Sequence, residues 1–200
     1  IEQGSTGEKH YTATWTATVY NITYNLDDGE VETANPTKYT ILSGDITLNN
    51  PTKEGYTFAG WTGTGLTGVT ETVVIAQGSI GDRSYTATWT EHTYDITYDR
   101  PEGVTYDTTV EDRTDVGYSE PVTLPTADEV TKPGYELIGW TTIENGTTPE
   151  HRPGVSVGGL TGEDDGSVIL YPVWKYAEYT LSFNKGDHAI EGATNPASQK

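Results

Sequence analysis

The sequence predicts a mainly β protein, α+β at most, built from small domains in tandem. Three observations predict it. A stretch beginning YTATWTATVYNITYNLDDG at Tyr11 returns as YTATWTEHTYDITYDRPEG at Tyr85, at an offset of 74 residues. Within each copy, bulky and small polar residues alternate with a period of two, which is typical of a half-buried strand. No stretch shows the sustained three-and-four apolar spacing of an amphipathic helix.

The length of the repeat indicates what each copy is. A looser third copy begins at Tyr171, and its Trp174 follows Trp89 by 85 residues. A second marker, EGYTFAGW ending at Trp61 and PGYELIGW ending at Trp140, places five of the added residues before it and six after it. Surface loops tolerate such insertions. A period of 74 to 85 residues is too long for a solenoid unit and fits a complete small domain.

A change in the alternation predicts where the domains meet. Bulky residues occupy odd positions at Tyr11 and Trp15, but even positions at Tyr20 and Ile22. A pleat cannot change phase without interruption, so we expect junctions here and at the matching positions, near Ala17, Glu91 and Ala177. The predicted parts are a C-terminal strand of a preceding repeat (1–16), a full repeat (17–90), a full repeat with longer loops (91–176) and the start of a further repeat (177–200).

Within the first full repeat the elements follow in order. A strand through Tyr20 to Leu26 runs into the turn Asp27-Asp28-Gly29, whose Asp-Gly pair favours a tight reversal. A second strand passes through Ile46 and Leu48. After Pro51 and Gly55 a third strand carries Tyr56, Phe58 and Trp61, and the last ends at Trp89. At most one short helix per repeat is predicted, at Glu30–Asn35 or at its counterpart Asp107–Asp115.

Composition excludes several classes of function. The chain has 200 residues, 33% of them hydrophobic, and a formal charge of −19. So acidic a surface repels phosphate backbones and anionic headgroups, so nucleic acid and membrane insertion are not expected. There is no cysteine, which excludes thiol chemistry and cysteine-based zinc sites.

The stretch GVSVG, from Gly154 to Gly158, satisfies the Gly-x-Ser-x-Gly pattern around Ser156, with His151 close in sequence. A nucleophile elbow needs a strand, a strained turn and then a helix. Pro153 before it and a further glycine after it disfavour that helix. We therefore interpret the stretch as a glycine-rich loop and expect no catalytic residues.

No metal or cofactor site is expected either. The four histidines, His10, His92, His151 and His188, do not recur at the repeat offset, so each is interpreted as solvent-facing. The acidic clusters Asp27-Asp28 and Glu163-Asp164-Asp165 offer oxygen ligands for calcium, but they lack the alternate-residue spacing of a calcium loop and sit beside glycine as turn residues do.

The recurring aromatics leave two interpretations. Recurrence at one alternation phase is what core residues show, which applies to Trp15, Trp61, Trp89, Trp140 and Trp174. The alternative is a sugar-stacking face on the sheet. Tyrosines without a partner in the other repeat, such as Tyr106, are expected to be the exposed ones.

The motifs YNITYNLDDG, NPTKY, ITLNNPTKEGYTFAGW and SYTATWT, taken together, resemble the Listeria-Bacteroides repeat, or internalin B-repeat-like, family. The resemblance covers nearly the whole chain, although the second full repeat departs from it with YDRPEG and a longer stretch from 141 to 166. It implies tandem β-grasp-like domains arranged as beads on a string, in surface-attached or secreted bacterial proteins.

The resemblance implies a non-enzymatic extracellular stalk, spacer or adhesive module, with neighbouring repeats of the same chain and a host or cell-wall glycan or protein as partners. The alternative is a glycan- or protein-binding module, in which exposed aromatics and the long loops around Glu144–Asp165 make the specific contacts. No ligand-binding residue can be named from the sequence.

Overall fold

A computed structural model describes residues 2–181, and these divide into two compact units between Thr90 and Glu91. The mainly β prediction is confirmed, and the chain contains fourteen strands within the described part. The first unit contains β1 (Tyr20–Asn25), β2 (Lys38–Tyr39), β3 (Ile46–Thr47), β4 (Tyr56–Gly63), β5 (Val74–Ile75) and most of β6 (Arg83–Glu91). The second contains β7 (Thr93–Tyr98), β8 (Thr105–Tyr106), β9 (Arg113–Gly117), β10 (Val122–Thr123), β11 (Val130–Thr131), β12 (Tyr135–Thr141), β13 (Ser156–Val157) and β14 (Gly166–Tyr176).

Each unit is built on a four-stranded mixed sheet. The order is β2-β1-β6-β4 in the first unit and β9-β7-β14-β12 in the second. The two central strands run parallel, with Ile22 opposite Arg83 in the first unit and Ile96 opposite Val168 in the second. A small antiparallel pair, β3 with β5 or β10 with β13, accompanies each sheet. The second unit has one more such pair, β8 with β11.

The predicted short helices are absent. Residues 30–35 and 107–115 hold turns, bends and short stretches of strand, and no helix occurs among residues 2–181. A parallel pair needs a long crossover, which is usually helical. Here the crossover between the two central strands is made of short strands and turns, because the Pro, Gly, Thr and Asn residues of these segments favour turns over helix. The β-grasp detail of the resemblance stays a prediction.

Each unit has its own core, and the two cores share no residue. The first is formed by Ile22, Tyr39, Leu48, Trp61, Val73, Ile75, Tyr85 and Ala87. The second is formed by Tyr94, Ile96, Tyr98, Val110, Val116, Val122, Leu124, Val130, Leu137, Trp140, Val168 and Leu170. The predicted phase change is confirmed, since β6 buries odd positions and β7 buries even ones.

The Gly-Trp pair that marks each repeat has a steric reason. The chain beyond the tryptophan folds back, so that Trp61 bridges to Thr70 and Trp140 bridges to His151. A Cβ on Gly60 or Gly139 would collide with that returning strand, and both glycines have positive φ, 136° and 157°. Only glycine lets the returning chain approach closely enough to cover the indole ring.

The assignment of the two ends, 1–16 and 177–200, to neighbouring repeats stays a prediction. Residues 2–19 contain no strand, so the strand predicted within 1–16 does not form. The matching segment, β6, is held by β1 and β4, whereas residues 2–19 have no pairing strand among the described residues. Residues 177–181 belong to none of the fourteen strands, and the remainder of the predicted further repeat, 182–200, lies outside the described residues.

Candidate functional site

The tryptophans are distributed between core and surface. Trp61 and Trp140 are 0% exposed, while Trp89 and Trp174 are partly buried and pack against their cores. The core interpretation is therefore confirmed for these four. It is wrong for Trp15, which is 92% exposed, because the segment around it has no sheet to pack against.

Aromatic contacts explain why each buried indole is fixed. Trp61 Nε1 donates a hydrogen bond to Asn50 Oδ1 at 3.0 Å, and Phe58 meets the ring edge-on at a centroid distance of 5.5 Å. Trp140 Nε1 donates to the Pro125 carbonyl at 3.0 Å, and Tyr98 packs edge-on at 5.2 Å. A buried indole with its nitrogen paired and its faces covered presents no surface to a ligand.

Tyr106 corrects the expectation that unpartnered tyrosines are exposed. It packs against the second core, its hydroxyl donates to the Asp99 carbonyl at 2.5 Å, and Arg100 lies 4.8 Å from its ring centroid. Burial is the main cause that raises the pKa of this hydroxyl. The first unit has an isolated bridge, Glu30 with Thr52, where the second unit has the longer β8–β11 pair that carries Tyr106.

Ser156 does not occupy a nucleophile elbow. It lies on the two-residue strand β13, opposite Thr123, with its Oγ 3.0 Å from Thr123 Oγ1. Two glycines, Gly158 and Gly159, follow the strand in place of a helix. The GVSVG stretch is therefore a strand and turn, without the strained geometry that exposes a catalytic serine.

The histidines lie in separate environments. His10 is exposed, whereas His92 and His151 are partly buried, so the solvent-facing interpretation is wrong for these two; His188 lies outside the described residues. His92 Nδ1 lies 2.7 Å from the Gly162 carbonyl oxygen, and the backbone of His151 pairs with Trp140. Among residues 2–181 there is no group of three or more His, Cys, Asp or Glu side chains that could hold a metal ion.

The acidic clusters are turns. Asp27, Asp28 and Asp165 have positive φ, at 50°, 63° and 53°. Asp27 forms an ion pair with Lys53 at 3.4 Å, and Asp164 Oδ1 accepts a hydrogen bond from the Thr93 amide at 3.3 Å. Asp27 and Asp164 thus use their carboxylates in contacts within the chain, and Asp27, Asp28 and Asp165 occupy left-handed turn positions, as short polar residues do.

A lysine clamped by two aromatic rings occurs in both units. Lys53 Nζ lies 4.4 Å from the Tyr56 ring centroid and 5.8 Å from that of Trp89. At the matching positions Lys132 lies 4.5 Å from Tyr135 and 5.9 Å from Trp174. We call each arrangement a lysine clamp. Cation–π attraction holds the ammonium over the rings.

Sequence reasoning missed these clamps, although a signal was present. Thr-Lys stands shortly before Tyr in both markers, at the offset of 79 residues that relates Trp61 to Trp140. The recurrence of this lysine next to the recurring aromatic residues was the signal in the sequence.

Two of the clefts in the second unit combine aromatic and charged residues. The first, which we call the Tyr98 cleft, has a volume of 420 Å³ and is lined by residues that include Tyr98, Arg113, Leu124 and Glu129. The second, the Trp174 cleft, has 140 Å³ and is lined by residues that include Asp99, Lys132, Asn145, Gly146, Tyr171 and Trp174. It combines two aromatic side chains with a cation, an acid and an amide, which are the groups that orient a polar ligand.

Charged groups of the Tyr98 cleft are held by their neighbours. The Thr126 amide and hydroxyl donate to Glu129 Oε2 at 2.8 and 2.7 Å and lower the pKa of that carboxyl. Arg113 pairs with Glu120 at 3.3 Å. Burial raises the pKa of the Tyr98 hydroxyl, Arg113 opposes this, and Asp112 and Glu129 reinforce it.

Comparison with known proteins gives one match. A family model described as the Listeria-Bacteroides repeat domain matches residues 20–77 and 94–155, which together exceed half of the chain. No curated protein and no solved structure matches the chain. No helix long and apolar enough to cross a bilayer occurs in residues 2–181.

Proposed function

Because the chain belongs to the Listeria-Bacteroides repeat domain family, whose members are repeats of bacterial surface proteins, we propose that it is part of a non-enzymatic extracellular array. The array acts as a stalk or spacer and as an adhesive module. It holds a binding domain away from the cell surface, or multiplies weak contacts by repetition.

The observation that carries this proposal is the closed core of each repeat. Each unit surrounds its own fully buried tryptophan, Trp61 in the first and Trp140 in the second. A repeat with a complete core can be added or removed without rebuilding its neighbours, which is what a spacer of variable length requires.

The connection between the repeats supports the same role. Strand β6 ends at Glu91 and β7 begins at Thr93, so His92 alone lies between them. A link of one residue, without glycine or proline, has few conformations compared with a flexible linker. The length of such an array therefore follows the number of its repeats.

The proposed setting is the bacterial surface or the secreted fraction. A charge of −19 keeps an exposed chain soluble and disfavours nucleic acid and anionic lipid as partners. The proposed partners are neighbouring repeats of the same chain and a host or cell-wall glycan or protein. No metal or cofactor is part of the proposal.

Small-angle X-ray scattering on chains with increasing numbers of repeats tests the spacer role. The design joins one, two and three copies of residues 17–176 at the link that the chain itself uses. The spacer proposal expects the maximum dimension to grow in proportion to the number of copies. A radius of gyration that grows only as a compact globule does would contradict it.

A second candidate function is glycan or protein binding by the second repeat. It is favoured by the Trp174 cleft, to which Asn145 and Gly146 of the long Glu144–Asp165 stretch contribute. Binding of the intact chain to a glycan array would support this second function. An array without signal would remove glycan binding and leave the spacer role as the remaining proposal.

A further inference from the structure

The two lysine clamps differ in what completes them. In the first unit the Lys53 ammonium, lying over Tyr56 and Trp89, pairs with Asp27 Oδ2 at 3.4 Å. The side chain of Lys53 is only 19% exposed. A carboxylate from the turn after β1 thus neutralises a cation that two aromatic rings and its own burial hold in place.

The second unit lacks this carboxylate. Pro101 stands where Asp27 stands, at the offset of 74 residues that relates the two turns. Within residues 2–181 no carboxylate oxygen lies within 4.0 Å of Lys132 Nζ. Lys132 is nevertheless partly buried between Tyr135 and Trp174. The clamp holds a cation in position without an anion from the described chain.

The indole also differs between the units. In the first, Trp89 Nε1 donates to the Leu26 carbonyl at 3.2 Å, and Gly29 packs against the ring. In the second, Trp174 makes no side-chain hydrogen bond to any described residue. The position of Leu26 is taken by Arg100, which turns to Asp112 and to the ring of Tyr106.

Lys132 and Trp174, the two residues without these partners, both line the Trp174 cleft. The lengthened loop contributes Asn145, whose φ of 59° places it in a left-handed turn, and Gly146. Asp99 and Tyr171 complete the wall. At 140 Å³ the cleft is well below the roughly 300–1,000 Å³ of drug-sized sites, so it has room for one small ring.

We propose that the Trp174 cleft binds a single sugar ring that carries a carboxylate, such as a uronic acid at the end of a glycan. The carboxylate pairs with Lys132, as Asp27 pairs with Lys53 in the first unit. The ring lies against the aromatic wall of Tyr171 and Trp174, and its hydroxyls bond to Asp99 and Asn145. This inference rests on the second candidate function and is independent of the spacer role.

The overall charge of −19 disfavours binding of any anion, so the pair with Lys132 has to outweigh this long-range repulsion. Long-range repulsion lowers the affinity for every anion alike, whereas the pair with Lys132 forms only for a ring that fits the cleft. An acidic sugar without access to Lys132 is repelled, and a neutral sugar has no carboxylate to pair with it.

Nuclear magnetic resonance titration of the intact chain tests the proposal with two probes, methyl glucuronoside and its neutral counterpart methyl glucoside. The expected result is a shift of the Trp174 indole and Asn145 amide signals, with the acidic probe binding about tenfold tighter or more. Lys132→Met, which keeps an apolar stem between the rings, abolishes that preference. The matched variant Lys53→Met leaves it unchanged.

A second variant keeps the test decisive where Lys132→Met disturbs folding. Pro101→Asp, at an exposed position that lines the cleft, introduces a carboxylate at the sequence position of Asp27, where it can compete for Lys132. This variant is expected to lower the affinity for the acidic probe about tenfold or more, because its new carboxylate competes for the same ammonium.

Three outcomes would overturn the assignment. Equal affinity for the two probes removes the role of Lys132. Binding that persists in Lys132→Met and Pro101→Asp places the sugar elsewhere and leaves the second candidate function standing. No shift with either probe, together with a glycan array without signal, removes both the site and that candidate function.

Discussion

The indole nitrogen of Trp89 donates a hydrogen bond of 3.2 Å to the carbonyl oxygen of Leu26, which lies 63 residues earlier in the chain. The bond joins the last strand of the first repeat to the turn that follows its first strand. It closes the repeat on itself and places the ring against Gly29. The close contact explains why the Asp-Asp-Gly turn ends in glycine.

Replacing Gly29 with alanine is therefore expected to destabilise the first unit. A Cβ at this position would collide with the Trp89 ring, and overpacking of this kind costs about 1–3 kcal/mol. Urea unfolding followed by tryptophan fluorescence measures it. Gly44→Ala is the control, since nothing lies within 4 Å of a Cβ there. Equal stability of the two variants would contradict the packing.

Tyr94 carries a buried polar group without a partner. The residue is 1% exposed, and none of residues 2–181 offers its hydroxyl a hydrogen-bond partner. Leaving such a group unpaired costs about 1–3 kcal/mol. Tyr94→Phe is therefore expected to leave the free energy of unfolding unchanged or to raise it.

The matched control for that substitution is Tyr106→Phe in the same unit. It removes the bond to the Asp99 carbonyl and is expected to cost about 1 kcal/mol. Chemical unfolding of both variants makes the comparison. A larger loss for Tyr94→Phe than for Tyr106→Phe would show that the Tyr94 hydroxyl has a partner after all.

The raised pKa of the Tyr24 hydroxyl predicts that the protein loses stability in alkali. Burial, followed by the nearby Tyr85, raises its pKa to about 12, and its hydroxyl donates to the Pro36 carbonyl at 2.8 Å. In the unfolded chain a tyrosine titrates near 10. Above that pH the unfolded state has lost the proton that the folded state keeps, so stability falls between about pH 10 and 12.

The Tyr24→Phe variant isolates this contribution. It has lower stability than the parent at neutral pH, because the bond to Pro36 is lost, but the difference is expected to shrink as pH rises from about 10 to 12. Unfolding in denaturant at a series of pH values measures it. A difference that stays constant across this window would refute the raised pKa.

How far the sequence predicts the structure depends on which physical signal each residue carries. Alternation fixed the strands and their phase at Ile22 and Tyr85, because a pleated strand alternates between core and solvent. Recurrence identified Trp61 and Trp140 as core residues. Local pattern could not show that residues 30–35 form bends and a bridge to Thr52, since that bridge depends on a residue far along the chain.

The candidate site depends on side-chain contacts that the pattern of residues along the sequence cannot predict. The burial of Tyr106 follows from strands β8 and β11, which exist only in the second repeat. The lysine clamps were visible only as a recurring Thr-Lys, and the difference between Asp27 and Pro101 acquires meaning once Lys53 and Lys132 are placed. Trp15 shows the reverse, since its sequence copies Trp89 but its surroundings do not.

Hydrogen exchange on the Trp61→Ala variant of the intact chain tests most directly whether each repeat forms its own core. Removing a fully buried tryptophan costs about 3–5 kcal/mol, comparable to the whole stability of a small domain. Trp15→Ala, at an exposed position, is the control and is expected to change nothing. If the cores are independent, Trp61→Ala abolishes protection in β1 to β6 and leaves β7 to β14 protected. Loss of protection in both units together would contradict independent cores.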